Sequence, residues 1–301
     1  MKFRIPASSA NLGPGFDCFG IAWQCYNEIE FIPRGEGLVI SGCEEKYCNE
    51  DNLAYKAYRA VMAWAGQRES GLEIRFGRTD IPVSRGMGSS AALIVGGVVA
   101  ANAIHGLELS GSELLAIATS VEGHPDNIAP ALFGGFTVSA MDGIAAITTH
   151  FPISEKLFFT LLIPDFELST ELARSVLPVN VSRQDAIFNI SRSALLIKAL
   201  ERGDRQLMRI ALEDKLHQPY RTKLINGYDS AEAAAKKLDA MGICISGAGS
   251  TLLCIADRPE FSAEMEKELK ESLPGWKVLG VKPDLQGVKM IENLIRKSGK
   301  C

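Results

Sequence analysis

The sequence predicts an α+β fold in two parts, residues 1–151 and 152–301. Three observations carry this expectation. After Phe151-Pro152 the apolar pattern runs strand, helices, strand, strand, helix, strand, which is the split βαβ order of a ferredoxin-like sandwich with added helices. Before it, short strand-like pieces alternate with helical periodicities, and one of these, 89–104, is apolar on nearly every side and so belongs inside a core. A composition of 47% hydrophobic and 23% charged residues over 301 residues is that of a folded globular chain.

The elements follow in order. Strands are expected at 2–5, at 19–31 around polar breaks, and at 37–41. From about Asp51 a helix begins, with Leu53, Ala54, Ala57, Tyr58, Val61, Met62 and Ala65 at helical spacing, capped by Asn49 or Asp51 and stopped by Gly66. A strand at 71–76 puts Leu72, Ile74 and Phe76 on one face. The apolar helix at 89–104 comes next. Ser110-Gly-Ser-Glu113 is a capping box that starts another helix, striped by Leu114, Leu115, Ala118 and Val121 and ended by Gly123-His124-Pro125. A strand pair at 133–140 and 144–149 turns at Met141-Asp142-Gly143. In the second part a strand at 157–163 precedes helices within 169–177, 185–202, 204–215 and 229–241. Strands at 243–245 and 252–256 flank Ser246-Gly-Ala-Gly-Ser250, and a helix at 260–273 and a strand at 276–281 complete the pattern.

Several function classes are excluded. A net charge of −4 and a sequence pI of about 5.7 supply no excess of basic residues to displace counterions, so no nucleic-acid partner is expected. The longest apolar run, 91–101, falls short of the roughly 18–20 residues that span a bilayer, and residues 1–6 lack a signal-peptide apolar region, so no membrane partner or secretion is expected. The seven cysteines (18, 25, 43, 48, 244, 254 and 301) include no Cys-x-x-Cys, and the four histidines give no zinc-ligand spacing. This is the usage of a reduced, cytoplasmic protein. Cys43 and Cys48 flank an exposed-looking Glu44-Glu45-Lys46, where a disulfide is conceivable.

Three constellations could carry chemistry. The first is Pro82-Val-Ser-Arg-Gly-Met-Gly-Ser-Ser-Ala-Ala92, a glycine turn running into the start of the buried helix. Free N–H groups and the positive helix end there suit phosphate, and Ser90 could offer a hydroxyl to phosphate or Mg²⁺. It is neither a Walker A loop nor Gly-x-Gly-x-x-Gly, and its plainer reading is an ordinary helix cap. The second is Glu122-Gly-His-Pro-Asp-Asn127, followed by Gly134-Gly135. Glu122 faces the unfavourable end of a helix dipole, a cost that a cation would reverse, though solvent also tolerates such residues. The third joins Ser8-Ser-Ala-Asn-Leu-Gly-Pro-Gly-Phe-Asp17 with Ser246-Gly-Ala-Gly-Ser-Thr251, small-residue turns that can line a cavity or simply be tight turns.

Together these segments resemble the GHMP kinase superfamily over the whole chain. The set of Ser9-Ala-Asn-Leu-Gly-Pro-Gly-Phe-Asp17, Glu122 to Gly135, Ser169-Thr170 with Arg174, and Gln218-Pro-Tyr-Arg221 is most similar to its homoserine-phosphorylating members. The resemblance implies a ribosomal-protein-S5-like N-terminal domain, a ferredoxin-like C-terminal domain, and ATP-dependent phosphorylation of L-homoserine, a small-molecule substrate held with ATP between the domains. It implies that ATP lies along Pro82, Val83, Ser84, Arg85, Gly86, Met87, Gly88, Ser89, Ser90, Ala91 and Ala92, with the adenine near Asn52, and that Mg²⁺ is held by Ser90 and Glu122. Asp17 would take the substrate ammonium, Arg174 and Arg221 its carboxylate, and Asn11, His124, Asn127, Thr170 and the Gly247 backbone would complete the pocket. Asn127 stands at or near the place of a proposed base Asp in some relatives, so no dedicated general base is expected, with His124 and Asp126 the nearest substitutes. The resemblance also allows a homodimer. Ser250 replaces a usual Pro, a change expected to loosen that loop, and Arg85 and Met87 stand where smaller residues or Leu are common. Two alternatives carry weight: a non-catalytic ligand sensor, against which Ser90 and Glu122 are retained, and a kinase of another small alcohol such as mevalonate. The latter would typically carry an acid in a Gly-x-Asp segment where this chain reads His124-Pro-Asp-Asn127.

Overall fold

The computed structural model describes residues 1–68 and 70–292. Cys301 lies outside the described residues. The first sheet comprises β1 (Lys2–Ala10), β2 (Phe19–Arg34), β3 (Leu38–Ser41), β4 (Gly71–Thr79), β5 (Phe136–Asp142), β6 (Ala145–Phe151) and β11 (Lys289–Glu292). Its order is β11-β1-β2-β4-β3, with β5 paired to the start of β2 and β6 to β5. Only β3 and β4 run parallel. Helices α1 (Leu53–Trp64), α2 (Ser89–His105), α3 (Gly111–Glu122) and α4 (Ile128–Phe133) accompany it.

The position of α2 explains why its sequence is apolar all round. A Cβ on Gly96 would lie 3.4 to 3.7 Å from Ile29, Ile5 and Phe31 of the sheet, whereas a Cβ on Gly97 would lie 2.2 Å from the Ala54 carbonyl oxygen of α1. The helix is thus sandwiched between the sheet and α1, and no side of it meets bulk water for long.

The second sheet comprises β7 (Phe158–Ile163), β8 (Gly242–Ile245), β9 (Leu252–Ala256) and β10 (Lys277–Val281) in the order β10-β7-β9-β8, every pair antiparallel. That is the ferredoxin-like order the second half predicts. Its connections carry α5 (Thr170–Ser175), α6 (Arg183–Arg202), α7 (Arg205–Ala211), α8 (Gln218–Arg221), α9 (Tyr228–Lys237) and α10 (Phe261–Ser272). Strand β9 is buried on both faces. Leu252, Cys254 and Ala256 face the α9–α10 core, while Leu253 and Ile255 join the larger core around α2. Trp23 of β2 packs on Phe159 of β7, ring centroids 5.1 Å apart, so the two sheets share that core.

Several local expectations are corrected. Asn52, not Asn49 or Asp51, caps α1, its side chain accepting from the Ala54 N–H at 3.0 Å, while Asn49 turns to the Asp51 N–H. The β5–β6 hairpin turns at Gly143-Ile144, since Asp142 pairs with Ala145 and Gly143 has φ +62°. The helix expected to Lys215 stops at Ala211, because the Asp214 carboxylate gathers the N–H groups of Leu216, His217 and Gln218 into a turn. Helices α4 and α8 are too short to show a period, and β11 brings the chain back to β1 across a stretch without apolar alternation.

Adding one methyl at Gly97 forces α1 from its backbone contact. Gly97→Ala should therefore cost about 1–3 kcal/mol, whereas Gly96→Ala, which meets only side chains in ordinary contact, should be neutral or gain a little from helix propensity. Thermal unfolding of the two variants checks this; equal melting temperatures would contradict the packing.

Candidate active site

A cavity of about 630 Å³ opens where the loops of the two sheets meet. One wall is the turn entering α2. Gly88, at φ +70°, occupies the N-cap position and offers no side-chain cap, so the amides of the first turn remain open to an anion. Four successive carbonyls of this turn are drawn into the protein: Ser84 accepts from Leu168 N–H, Arg85 from Thr251 N–H, Gly86 from the Ser246 hydroxyl and Met87 from Ser8 N–H. With its carbonyls committed elsewhere, the loop has little negative charge to aim at a phosphate. The approach leaves no room for side chains. A Cβ on Gly86 would sit 2.2 Å from the Ser246 carbonyl oxygen, and one on Gly88 2.1 Å from Ser8 Oγ.

The Ser246 hydroxyl lies 2.6 Å from the Gly86 carbonyl and 2.6 Å from the Ser9 hydroxyl, which receives the Trp23 indole N–H at 2.7 Å. A carbonyl can only accept, so the Ser246 proton goes to Gly86 and Ser9 donates to Ser246. Trp23, Ser9 and Ser246 are fully buried, and every group in this relay is satisfied. Ser250 Oγ donates to the Phe166 carbonyl at 2.8 Å, so the residue expected to loosen the loop ties it down.

At the start of α2, Ser90 Oγ donates to Glu122 Oε2 at 2.6 Å. Burial pushes the Glu122 carboxyl upward, opposed by the Ser90 bond and the nearby His124. His124 Nδ1 lies 2.6 Å from Asp126 Oδ1. Burial alone would lower the imidazole, but the bond to Asp126, that residue's charge and Glu122 outweigh it, and His124 is raised above its ordinary 6.5. Asn127 Oδ1 accepts from Ser8 Oγ at 2.9 Å, which fixes the orientation of its amide.

The far end of the cavity is a pocket of paired charge. Arg174 of α5 grips Asp17 with two bonds, 2.6 and 3.1 Å. Asn11 Oδ1 accepts the Asp17 N–H, and Asn11 Nδ2 donates to the Gly247 carbonyl at 2.7 Å. Arg221 of α8 is 1% exposed, bonded through Nε to the Ala173 carbonyl and through Nη1 to that of Gly247. Burial and the neighbouring Arg174 bring its guanidinium down to about 10. Phe16 stands beneath both arginines, its ring 5.5 Å from Arg174 Cζ and 5.1 Å from Arg221 Cζ, and stacks on His217. His217, lowered by burial, is neutral and donates to the Gly13 carbonyl at 2.7 Å.

The expected residues largely converge. Asn11, Asp17, Asn52, Val83, Ser84, Arg85, Gly86, Gly88, Ser89, Ser90, Glu122, His124, Asn127, Thr170, Arg174, Arg221 and Gly247 all line the cavity. Pro82, Met87, Ala91 and Ala92 do not; Met87, Ala91 and Ala92 are buried in the core beneath the turn. Gly247 lines the wall with its N–H bonded to Ala10 and its carbonyl to Asn11 and Arg221, so its backbone is a brace between loops. No motif pointed to Tyr47, Phe76, Thr79, Ile81 and Leu93, which also line the cavity and are mostly apolar. Nor did it single out His217 and Phe16, which position the arginines.

Comparison with known proteins shows the family of the chain. The family model "GHMP kinases N terminal domain" matches residues 52–135, spanning α1 to the end of the Glu122–Asn127 segment and its glycines, and "GHMP kinases C terminal" matches residues 196–275. The class is thus that of the GHMP kinases. A homoserine kinase from Clostridium botulinum (strain ATCC 19397 / Type A) is 45% identical over 289 residues, covering 95% of this chain and 97% of that relative. The crystal structure of homoserine kinase from Cytophaga hutchinsonii superposes with a TM-score of 0.87 at 27% identity, over 97% of each chain. Mevalonate kinase of Methanococcus jannaschii, at 13% identity and a TM-score of 0.69 over 94% of this chain and 98% of that one, shares the fold alone. The chain belongs to the homoserine kinase family of GHMP kinases.

The raised His124 has a consequence for stability. A histidine held above its ordinary pKa stabilises the fold fully below pH 6.5, and loses that contribution as pH rises through the raised value. His124→Asn should therefore be less stable than the parent in mildly acidic buffer, with the gap closing in alkaline buffer. Chemical denaturation across that pH range checks it; a gap independent of pH would contradict the His124–Asp126 pairing.

Proposed function

We propose that this chain transfers the γ-phosphoryl group of ATP to the side-chain hydroxyl of L-homoserine, forming O-phospho-L-homoserine on the route to threonine. The observation that carries the proposal is the meeting, in one cavity, of an anion-accepting turn with a pocket of opposite charges. An ammonium, a carboxylate and a hydroxyl need just such a pocket, with the hydroxyl end toward the phosphate. Asp17 would receive the ammonium, and Arg174 with Arg221 the carboxylate, which a guanidinium meets with two bonds. Asp17 and Arg174 hold each other meanwhile, so a zwitterion can replace their pairing charge for charge, and a ligand with one charge would leave the other residue unpaired.

The triphosphate would lie along Ser84 to Ser90, its charge met by amides at the start of α2. The residues fit a magnesium ion: Glu122 is a desolvated carboxylate whose bonded partner is a neutral hydroxyl, and with Ser90 it supplies hard oxygen ligands. When bound, the ion would neutralise charge on the β- and γ-phosphates. His124 is raised and its Nδ1 is engaged by Asp126, so in acidic solution it is cationic and accepts no proton; Asn127 is a neutral amide and takes up no proton. Positioning the hydroxyl, with late loss of its proton, suffices in a loose transition state. The cysteine usage supports a reducing, cytoplasmic setting, and among the described residues no helix is long and apolar enough to cross a membrane.

Release of ADP, followed with a panel of hydroxy amino acids, mevalonate and galactose, tests the proposal. Homoserine should be turned over far faster than the others; preference for mevalonate or galactose would replace the acceptor, and no turnover at all would favour a sensor. In the same assay Glu122→Gln should lower kcat at least about 100-fold. An acid whose pKa is raised by folding destabilises the fold above its ordinary value of 4.5, so this variant should melt at the same temperature or higher. Near-normal turnover would remove Glu122 from the metal site.

A further inference from the structure

One pair of nucleophiles stands at the cavity rim, outside the groups used above. Between β3 and α1 a single turn of 3-10 helix, Glu45–Tyr47, is bracketed by Cys43 and Cys48, whose Sγ atoms lie 3.7 Å apart. Cys48 is exposed and Cys43 partly so, whereas Cys25, Cys244 and Cys254 are buried. Cys43, Glu44 and Tyr47 line the cavity, and the Tyr47 carbonyl accepts from Nδ2 of Asn52 at 2.9 Å. The wall carrying the thiols is therefore tied to the cap of α1.

We propose that Cys43 and Cys48 are a modification site, a dithiol that exchanges with low-molecular-weight disulfides and closes to an intramolecular disulfide, reshaping the cavity wall beside Asn52. The order of steps follows from exposure. Burial and the bond to Cys48 hold the Cys43 thiol up at about 11, so the solvent-facing Cys48 attacks first. Its thiolate bonds to one sulfur of the small disulfide, and the other sulfur leaves with the electron pair and takes up a proton. Cys43 then gives its proton to water and attacks the Cys48 sulfur, expelling the second small thiol. Two protein thiols are oxidised by two electrons and one small disulfide is reduced to two thiols. Closure must bring the sulfurs from 3.7 Å to about 2.05 Å. Glu44, Glu45 and Lys46 are exposed, so no packing on the solvent side resists the movement, which carries Glu44 and Tyr47 with it. That this wall belongs to the nucleotide end rests on the function proposed above.

The test treats the full chain with oxidised glutathione, then maps its thiols by alkylation and peptide mass spectrometry. The parent should lose two hydrogens and show a Cys43–Cys48 link, and Cys43→Ser should stop at a glutathione adduct on Cys48. Cys48→Ser should form no link and keep its reduced-state turnover after treatment. In the linked protein KM for ATP should rise several-fold with KM for homoserine unmoved, and dithiothreitol should restore it. Separate glutathione adducts on both thiols, or no reaction at either, would overturn the site. A linked protein with an unchanged affinity for a fluorescent ATP analogue would overturn the effect on the wall. Mass and analogue binding are both read without turnover, so an absence of kinase activity would count against the proposed function alone.

Discussion

The close approach of the Ser246–Thr251 turn to Gly86 sets the geometry on which the site depends. Gly86 and Gly88 admit backbone and hydroxyl groups where a methyl would lie within 2.2 Å of them. Through this gap the loop between β8 and β9 reaches the turn before α2, bonds to Arg85 and Gly86 lace the two together, and bonds to Ala10 and Asn11 tie the same loop to the end of β1. The Trp23–Ser9–Ser246–Gly86 relay makes the junction a buried network with every group satisfied, which fixes one arrangement where an apolar contact would allow several. Side chains from both sheets can then be held around one small volume.

That volume concentrates charge partly removed from water, from the half-buried Asp17–Arg174 pair to the buried Arg221. Asp17 with Arg174, His124 with Asp126, and Glu122 with Ser90 are each engaged within the protein. Arg221, almost without exposure, is carried by two carbonyls and the face of Phe16. Such groups contribute little net stability, because desolvation offsets their mutual attraction. Their arrangement is better explained by a ligand that brings its own charges than by the needs of folding.

Much of this was legible in the sequence because it depends on short-range chemistry. The capping box at Ser110–Glu113, the all-round apolar α2 and the strand order of the second half follow from periodicity and turn residues, and the structure shows each. The glycine turn and Glu122 could be picked out as unusual, while assigning Asp17, Arg174 and Arg221 to a common pocket needed the family resemblance. What stayed hidden depends on contacts distant in sequence. His217 touches Gly13 across 204 residues of chain, and the return of β11 to β1 joins the two ends of the described fold. Tyr47, Phe76, Thr79, Ile81 and Leu93 of the cavity lining come from three separate stretches, none with a motif of its own.

Calorimetric titration of homoserine, beside its decarboxylated amino alcohol and its deaminated hydroxy acid, tests most directly whether the pocket is built for paired charges. Homoserine should bind at least about tenfold more tightly than either analogue, since each analogue leaves one partner of the Asp17–Arg174 pair unmatched. An analogue that lacks one charge and binds as well as homoserine would contradict the account.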